Sequence, residues 1–551
     1  MRTRAFLLVG LAVAVASSSQ AQGVGSCELG SAVRLIDSGA LQMKLRNTGT
    51  LFEYPYGESG ASTARGYVVR DGRDRFPNAG VSLLLVGTVE GEPRGAMGYY
   101  SGFEFWPGPL DDAGSPPTDC AAYDRIYIVS RRDIERYYET GELTDDLRDW
   151  PHHLGAPVLD GDGDPTNYDL RAGDQPDLIG DVAAWWVMHD AGNEHRLSRT
   201  EPLGVEARTH VFVYESASLE FRYTPFIRYE IVNRNAHPIE EMYAGNWANV
   251  EGDIATNQLI GTDTLRSVLY RYDSEYENLS EVLPSWGIQV VQAPIGLANG
   301  RDDDFDGSVD EPDERLGLTS SAVFINAGPD GTNDPRGIDE LYNVVRGRWG
   351  NGTPRRAYGG GFQQTQGAMT SFMFWGDPVT QSFWSAINAF GTEEGVFRYR
   401  RIGMASGPFQ IEPGEAVSIL YALPYGRGTS NLQSVAKMRA VASTLQRLHA
   451  EGVFASSPVE RPQESSELAL ARISPNPSFG TAQALLTLPA TAHVRATVYD
   501  ALGRQLEVVV DGELPRGENK LTMPAGLAPG TYLLRVEVPG AVETLTFTVV
   551  R

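Results

Sequence analysis

Apolar residues along most of this 551-residue chain recur at every second position or in short continuous runs, which is the spacing of β-strands. Examples are VSLLLVGTV at 81–89, THVFVYE at 209–215 and FIRYEIVN at 226–233. Segments rich in Gly, Pro and Asp separate these runs and predict turns and long loops. The pattern predicts a mainly β fold, with a large β-sandwich-like body at residues 22–454 that is one unit or two fused subdomains.

A helical pattern closes this body. Apolar residues recur at steps of three and four along one stripe, namely Leu432, Val435, Met438, Val441, Leu445 and Leu448. Ser430 with Gln433 is typical of a helix start, and Gly452 of a helix end. We therefore expect one C-terminal helix in the body, and a weaker pattern at 131–142 (RRDIERYYETGE) predicts another.

Residues 455–467 (ASSPVERPQESSE) are rich in Ser, Pro and Glu and predict a linker. Beyond it, residues 468–551 contain short alternating segments such as HVRATVYD at 493–500 and TYLLRVEV at 531–538. Asp511-Gly512 and Pro539-Gly540 are typical hairpin turns. This pattern predicts a small Ig-like antiparallel β-sandwich.

The first residues, MRTRAFLLVGLAVAVASSSQAQG, have the organisation of a secretory signal peptide. Arg2 and Arg4 precede an apolar stretch at 5–16 that is too short to span a bilayer. Ser19 and Ala21 are small residues at the positions that a signal peptidase requires. We expect cleavage near Ala21 and an extracellular or outer cell-surface location, with no transmembrane segment.

The net charge of −25 argues against nucleic acid as a partner, because phosphates are bound by Lys and Arg. The two cysteines, Cys27 and Cys120, both follow the signal peptide, and export permits a disulfide between them. Two buried free thiols are the alternative. A third interpretation places a lipid on Cys27, because the preceding Val24-Gly25-Ser26 resembles a lipoprotein cleavage sequence.

Residues 299–315 contain an Asp-rich loop with the spacing of a twelve-residue calcium loop. Its candidate ligands are Asp302, Asp304, Asp306, Ser308, Asp310 and Asp313. Position 12 is Asp where Glu is usual, and the preceding segment is not helical. The loop predicts a structural Ca²⁺ site inserted between strands, and a disordered acidic loop is the alternative.

A second Asp-rich loop lies at 160–181. Its candidate ligands are Asp160, Asp162, Asp164 and Asp169, and Asn167, Asp174 and Asp177 could complete the shell. Pro165 stands where a calcium loop has its turn glycine. A third stretch at 328–340 offers Asp330, Asn333, Asp334 and Asp339, but a plain Asp-Gly turn explains it better.

The sequence contains no phosphate-binding loop, dinucleotide fingerprint, nucleophile elbow or HExxH pattern. His189 and His195 flank Asp190 and Glu194, but their spacing fits no zinc pattern, so we expect structural histidines. Several tryptophans could form a sugar-stacking platform, although core packing is the expected role. They are Trp185, Trp186, Trp247, Trp286, Trp349, Trp375 and Trp384. No catalytic residue is predicted.

Three segments of the last 84 residues follow one another in a specific order: ISPNPSFG at 473–480, VYDALGRQL at 498–506 and LAPGTYLLRV at 527–536. They resemble the C-terminal sorting domains of type IX secretion substrates and related Ig-like domains of the flagellar-hook-capping type. The resemblance implies Sec export and recognition of residues 468–551 by the type IX machinery. It also implies release or attachment at the cell surface.

The body itself resembles a set of secreted proteins that carry the same tail. The resemblance lies in FEFWPGPL at 103–110, YDRIYIVS at 123–130, residues 160–181 and SGPFQIEPGE at 406–415. It implies membership of that set and no particular chemistry. The sequence thus predicts an exported, calcium-stabilised β protein with a binding, adhesion or envelope-structural role and a possible glycan or surface ligand. A secreted hydrolase acting on polysaccharide or protein is the alternative.

Overall fold

A computed structural model describes residues 26–52, 66–75, 80–99, 102–215, 222–250, 258–273, 281–297, 302, 308, 309, 311, 314–325, 328–388, 399–454, 458, 459, 469–480, 482–488 and 490–550. The chain is mainly β, as the alternating pattern predicts, and its paired strands run antiparallel. It divides into two compact units, Met1–Val459 and Glu460–Arg551.

The described part of the first unit contains twenty-three strands. In chain order they are β1 Val33–Asp37, β2 Leu41–Arg46, β3 Thr50–Leu51, β4 Tyr67–Arg70, β5 Asp74–Arg75, β6 Gly80–Val89, β7 Glu92–Tyr99, β8 Gly102–Phe103, β9 Trp106–Pro107, β10 Tyr127–Ser130, β11 Val158–Leu159, β12 Gln175–Pro176, β13 Val182–His189, β14 Val205–Val213, β15 Phe226–Asn233, β16 Ile239–Asn249, β17 Gln258–Asp263, β18 Val268–Asp273, β19 Ser285–Gln292, β20 Ser320–Ile325, β21 Tyr399–Ile411, β22 Ala416–Ala422 and β23 Tyr425–Gly426.

Two large sheets dominate this unit. The first has the order β10-β13-β14-β15-β22-β19-β18-β17, with β9 beside β13 and β23 beside β19. The second has the order β20-β21-β16-β6-β7-β8, with β3 beside β6. A four-stranded sheet, β1-β2-β4-β5, and the small β11-β12 pair complete the described strands of the unit.

Strand β6 shows how the sheets are buried. Its Leu83 and Leu85 point into the central core, where they join Trp186 and other inward side chains of the ten-stranded sheet. The neighbouring Leu84 and Val86 point to the opposite face. Because successive side chains of a strand alternate between faces, a strand covered on both sides must be almost continuously apolar. The VSLLLVGTV run is therefore explained by burial on both faces.

Helices cover the outer faces of both sheets. The described helices are α1 Arg131–Thr140, α2 Asp145–Arg148, α3 Ile338–Val345 and α4 Asn431–Ala450. Leu341 of α3 packs on the outer face of β6. Ile134 of α1 and Leu445 of α4 share a cluster with Trp185 and Phe212 on the outer face of the ten-stranded sheet. The unit is thus a β-sandwich with helices on its outer faces.

Helix α4 begins and ends where its sequence predicts. The Ser430 hydroxyl accepts a hydrogen bond from the Gln433 amide at 3.2 Å, and Gly452 has a left-handed φ of 75° just beyond the last turn. Val435 and Met438 of its apolar stripe pack against Tyr270 of β18. In the part of the chain that the structure describes, no helix combines the length and apolar character needed to span a bilayer.

The second unit has seven described strands: β24 Ala469–Ser474, β25 Gln483–Leu488, β26 Ala492–Asp500, β27 Gln505–Leu514, β28 Gly517–Thr522, β29 Gly530–Val538 and β30 Ala541–Val549. They form two antiparallel sheets, β24-β25-β28 and β27-β26-β29-β30. Leu486 of the first sheet and Val498 and Leu534 of the second are fully buried in one core. The unit is a small β-sandwich.

One turn prediction in this unit is wrong. Asp511-Gly512 does not form a hairpin turn but lies inside β27, where Asp511 is opposite Arg495 and Gly512 is opposite Val494. The partner strand β26 extends past this point, and Arg495 Nη1 lies 3.8 Å from Asp511 Oδ2. Cross-strand pairing therefore overrides the local turn preference of Asp-Gly.

Candidate functional site

The best-defined candidate site is the second Asp-rich loop. Strands β11 and β12 pair antiparallel, so the chain between them returns to its starting point. Asp174 holds this neck together: its Oδ1 accepts from the Gly161 amide at 3.0 Å and its Oδ2 from the Asp169 amide at 2.6 Å. Asp174 is buried. A buried carboxylate thus fixes the loop from its base.

Three carboxylates converge beside this neck. One carboxylate oxygen from each of Asp160, Asp162 and Asp174 lies within 4.8 Å of the others. Asp160 and Asp162 are exposed, and Asp174 lies beneath them. Asp160 Oδ1 accepts from the amides of Asp162 at 3.0 Å and Gly163 at 2.6 Å, which fixes the tight turn. The loop therefore concentrates negative charge around one point.

The donor set suits a hard cation. Calcium takes six to eight oxygen ligands, and each of the three carboxylates offers one of them at the point of convergence. Asn167 Nδ2 donates to Asp162 Oδ2 at 3.3 Å, and among the described residues no donor bonds the buried Oδ1 of Asn167. Residues 160–177 contain six aspartates and one arginine, so a divalent cation would offset their repulsion.

Asp164 and Asp169, the other predicted ligands of this loop, bond to nearby groups. Asp164 Oδ1 accepts from the Thr166 amide at 3.0 Å and from its hydroxyl at 2.6 Å, and these bonds lower the pKa of Asp164. Asp169 Oδ1 accepts from the Arg171 amide at 2.8 Å. Both carboxylates stabilise turns, and Asp174 joins Asp160 and Asp162 at the point of convergence.

The first predicted calcium loop is only partly described. Asp302 and Ser308 belong to the described residues, whereas Asp304, Asp306, Asp310 and Asp313 lie outside them. The base of the loop is closed by an antiparallel bridge between Ile295 and Arg315 and by a 3.0 Å bond from the Gly296 amide to the Glu314 carbonyl. The calcium site at 302–313 stays a prediction.

The third acidic stretch is built as a turn. The Thr332 amide donates to the Pro329 carbonyl at 3.0 Å, and Gly331 has a left-handed φ of 87°. Asp334 accepts from the Trp247 indole at 3.0 Å and forms an ion pair with Arg401, and its burial raises its pKa. This carboxylate has a structural role.

His189 and His195 are buried. Burial lowers the pKa of His189 to about 4. The two ring nitrogens of His195 lie 2.9 Å from the Gly95 carbonyl and 2.5 Å from the Asp190 carbonyl. These contacts tie β7 to the turn after β13, which is a structural role.

A buried carboxylate that no sequence pattern indicates lies beside His195. Glu104 Oε2 lies 3.9 Å from His195 Nδ1, and Glu104 Oε1 accepts from the amides of Leu197 and Ser198 at 2.6 and 2.9 Å. Asp190 likewise accepts from three amides, those of residues 203–205. Glu104 lies about ninety residues from its partners in sequence, so no local pattern could reveal the network.

Cys27 and Cys120 are joined in a disulfide, with their Cα atoms 5.6 Å apart. The side chain of His189 lies beside them, and the three side chains fall within metal-binding distance. Because the two sulfurs are bonded to each other, neither is a thiolate, and the group does not fit a metal.

Comparisons with known proteins identify no family for this chain. No family model matches the chain, and no curated protein matches it. Among solved structures, a polysaccharide lyase aligns with 62% of this chain and 34% of its own, at 9% identity and a TM-score of 0.18. A Faecalibacterium prausnitzii β-glucuronidase aligns with 29% of this chain and 31% of its own, at 20% identity and a TM-score of 0.12. The chain thus spans about a third of the length of either protein, and these alignments carry no functional argument.

Proposed function

We propose that this chain is an exported cell-surface protein whose calcium-stabilised β body acts by binding, and whose C-terminal unit carries the signal for type IX secretion. The convergence of Asp160, Asp162 and Asp174 on a loop with a fixed base carries the calcium part of the proposal. The ordered segments at 473–480, 498–506 and 527–536 carry its secretion part. Extracellular calcium sites of this kind stabilise loops and stay filled, because external calcium is abundant.

Two further features support export. A disulfide persists in oxidising compartments, and the Cys27–Cys120 bond closes the start of the described chain onto the body. The second unit has its own buried core, so residues 460–551 can act as a separate module. A sorting signal must be recognised independently of its cargo, and a separately folded module suits that role.

Secretion can be tested directly. The full chain and a version ending at Val459 would be expressed with an N-terminal reporter placed after residue 21, in a bacterium that has the type IX machinery and in a mutant that lacks it. We expect surface exposure or release of the full chain only in the competent strain, and periplasmic retention of the truncated chain. Equal export of both chains would contradict the sorting role.

A hydrolase screen addresses the competing function. Residues 22–551 would be incubated with polysaccharide and protein substrates, and new reducing ends or free amines would be measured. We expect no turnover. The buried carboxylates near His195, Glu104 and Asp190, accept hydrogen bonds from backbone amides, which is typical of structural groups. Turnover that disappears on changing one carboxylate pair would refute the binding function.

A further inference from the structure

Trp375 differs from the other tryptophans of the chain. All nine lie among the described residues; eight of them are 3% exposed or less, whereas Trp375 is 37% exposed. The Phe383 side chain next to it is 65% exposed, and the two rings stack with centroids 5.3 Å apart and planes 29° apart. Phe383 therefore stacks on Trp375 and keeps most of its own surface exposed, and we call this pair the aromatic platform.

A short hairpin holds the platform. The Gly376 amide donates to the Trp384 carbonyl at 2.7 Å, and Asp377 and Ser382 exchange backbone hydrogen bonds of 2.9 and 3.1 Å. Trp384 is buried, and its indole donates to the Gly359 carbonyl at 2.9 Å. The two platform rings thus stand on facing arms of a loop whose base is anchored in the core.

The hairpin is also fixed from outside. Arg439 of α4 donates to Asp377 Oδ1 at 2.7 Å, and the Asn388 amide group donates to the carbonyls of Gln381 and Phe383 at 2.9 and 3.1 Å. Gln381 and Phe383 have left-handed φ values of 55° and 59°, which cost free energy in residues other than glycine. The contacts of the hairpin therefore hold the Phe383 ring in place at a conformational cost.

The segment that carries the platform is nearly uncharged. Residues 357–388 contain a single charged residue, Asp377, in a chain that is 21% charged, and Asp377 is paired with Arg439. Hydroxyl and amide side chains make up most of the remaining polar groups of the segment. The chain as a whole has a net charge of −25, which opposes binding of an anionic polymer. Charge thus favours a neutral polar ligand.

The size of the platform separates the possible ligands. Aromatic side chains present roughly 150–250 Å² each, so the exposed fractions of the two rings leave on the order of 200 Å². A stable protein interface needs about 800 Å² on each partner, which is more than the two rings supply even together with the exposed Met369, Val379 and Ile387 of the same segment. The C–H face of a pyranose ring is much smaller, and its partially positive hydrogens suit the negative face of an aromatic ring.

We infer that the exposed Phe383 ring, supported from behind by Trp375, binds the C–H face of a neutral pyranose unit of a polysaccharide. This inference rests on the proposed binding function and supplies its ligand class. The neutral hydroxyl and amide groups of the hairpin would bond the sugar hydroxyls, and the Phe383 ring would cover the C–H face and exclude water from it.

The test is affinity electrophoresis of residues 22–551 in gels containing neutral β-glucan, galactomannan, xylan or starch, with alginate as an anionic polymer. The variants are Trp375→Ala and Phe383→Ala, and the control is Phe479→Ala, which removes an 80% exposed phenylalanine from the other unit. We expect retention in at least one neutral gel and not in alginate. Each platform variant should bind about tenfold more weakly, and the control should bind like the wild type.

A second readout needs no substitution. Because Trp375 is the one exposed tryptophan of the nine, acrylamide quenching of intrinsic fluorescence reports mainly on it, and a bound polysaccharide should reduce that quenching. Retention in no neutral gel, or unchanged affinity in both folded platform variants, would overturn the inference. In the latter case binding by the chain would stand and only its location would be wrong.

Discussion

Cys27 and Cys120 are joined by a disulfide across 93 positions of sequence. The Cys27 amide also donates to the Gly192 carbonyl at 2.8 Å, so the start of the described chain is held at two points. A cross-link of this span restricts the unfolded chain strongly. Replacing both cysteines with serine should lower the free energy of unfolding by about 4 kcal/mol, measured by urea denaturation.

Reduction of the wild-type protein provides the control for that prediction. Dithiothreitol should lower the stability of the wild type to that of the double variant and leave the variant unchanged. A wild-type midpoint that does not respond to reductant at equilibrium would show that the disulfide contributes nothing.

Acid should destabilise the first unit through His210. This residue lies in β14 between Trp185 and Arg228 of the neighbouring strands, and burial, with the nearby Arg228 charge, lowers its pKa from 6.5 to about 3. Below pH 6.5 His210 binds a proton in the unfolded chain but stays neutral in the folded chain. The free energy of unfolding therefore falls as the pH decreases towards 3. At pH 5 the loss is about 2 kcal/mol.

The substitution His210→Gln removes this titratable group, so the unfolded variant no longer binds the extra proton. The difference in unfolding free energy between pH 7.5 and pH 5, measured by urea denaturation, should be about 2 kcal/mol smaller in the variant. Burial raises the pKa of Glu104 and of Asp190, and these shifts increase the free energy of unfolding as the pH falls. Both carboxyls are present in the wild type and in the variant, so their effect cancels in the comparison. The exposed His237→Gln is the control, and an equal pH dependence in all three proteins would contradict the prediction.

Arg355 organises the segment that leads to the aromatic platform. Its buried guanidinium donates to four backbone carbonyls, and burial lowers its pKa to about 9. The acceptors are Ser321 at 2.6 Å, Ser371 at 3.1 Å, Val344 at 3.2 Å and Arg348 at 2.6 Å. Lysine has the charge but cannot reach four carbonyls in a plane, so Arg355→Lys should cost about 2 kcal/mol or more in a urea melt.

The exposed Arg336→Lys is the matched control for this substitution, and it should change stability by less than about 0.5 kcal/mol. Equal stability of the two variants would show that the carbonyl contacts of Arg355 contribute no net stability.

The second unit should fold without the first. Leu534 of β29 is fully buried in its core, whereas Val542 of β30 is 54% exposed. We expect a fragment of residues 460–551 to unfold cooperatively in urea. Leu534→Ala should destabilise it by about 3 kcal/mol and Val542→Ala by less than about 0.5 kcal/mol. A fragment without a cooperative transition would contradict the independence of this unit.

Much of the fold could be predicted because burial imposes a local pattern. The run at 81–89 is apolar throughout because both faces of β6 are covered, and α4 has a capped apolar stripe. Helix α3 was not predicted, since it has eight residues and starts at Gly337, which offers no side-chain cap. Its apolar side chains become recognisable only once the sheet beneath them is known.

The candidate sites likewise depend on contacts that the sequence pattern does not reveal. Asp160 and Asp162 belong to a local alternating pattern, but the position of Asp174 depends on the pairing of β11 with β12. Nothing in the sequence separates Trp375 from the eight buried tryptophans, because its exposure follows from the hairpin and its anchors. Contacts between residues distant in sequence decide both cases.

Calcium binding at the 160–177 loop can be separated from binding at 302–313. One variant combines Asp160→Asn and Asp162→Asn, a second combines Asp304→Asn and Asp306→Asn, and a control combines Asp74→Asn and Asp112→Asn. Each variant removes two charges, so general electrostatic effects are matched. The control positions are exposed carboxylates outside both loops.

The most direct measurement is a thermal melt of residues 22–551 and these variants in 10 mM calcium and in excess chelator. Extracellular calcium sites bind at about 0.1–1 mM, so calcium should stabilise the wild type by about 2 kcal/mol, a shift of a few degrees. The Asp160/Asp162 variant should lose the part of that shift that its own loop supplies, and the Asp304/Asp306 variant should keep that part. In chelator the Asp160/Asp162 variant should melt no lower than the wild type, because removing two carboxylates reduces the repulsion within the loop. The control should keep the full shift. Coincident wild-type melts with and without calcium, or a full shift in the Asp160/Asp162 variant, would contradict a stabilising calcium site in this loop.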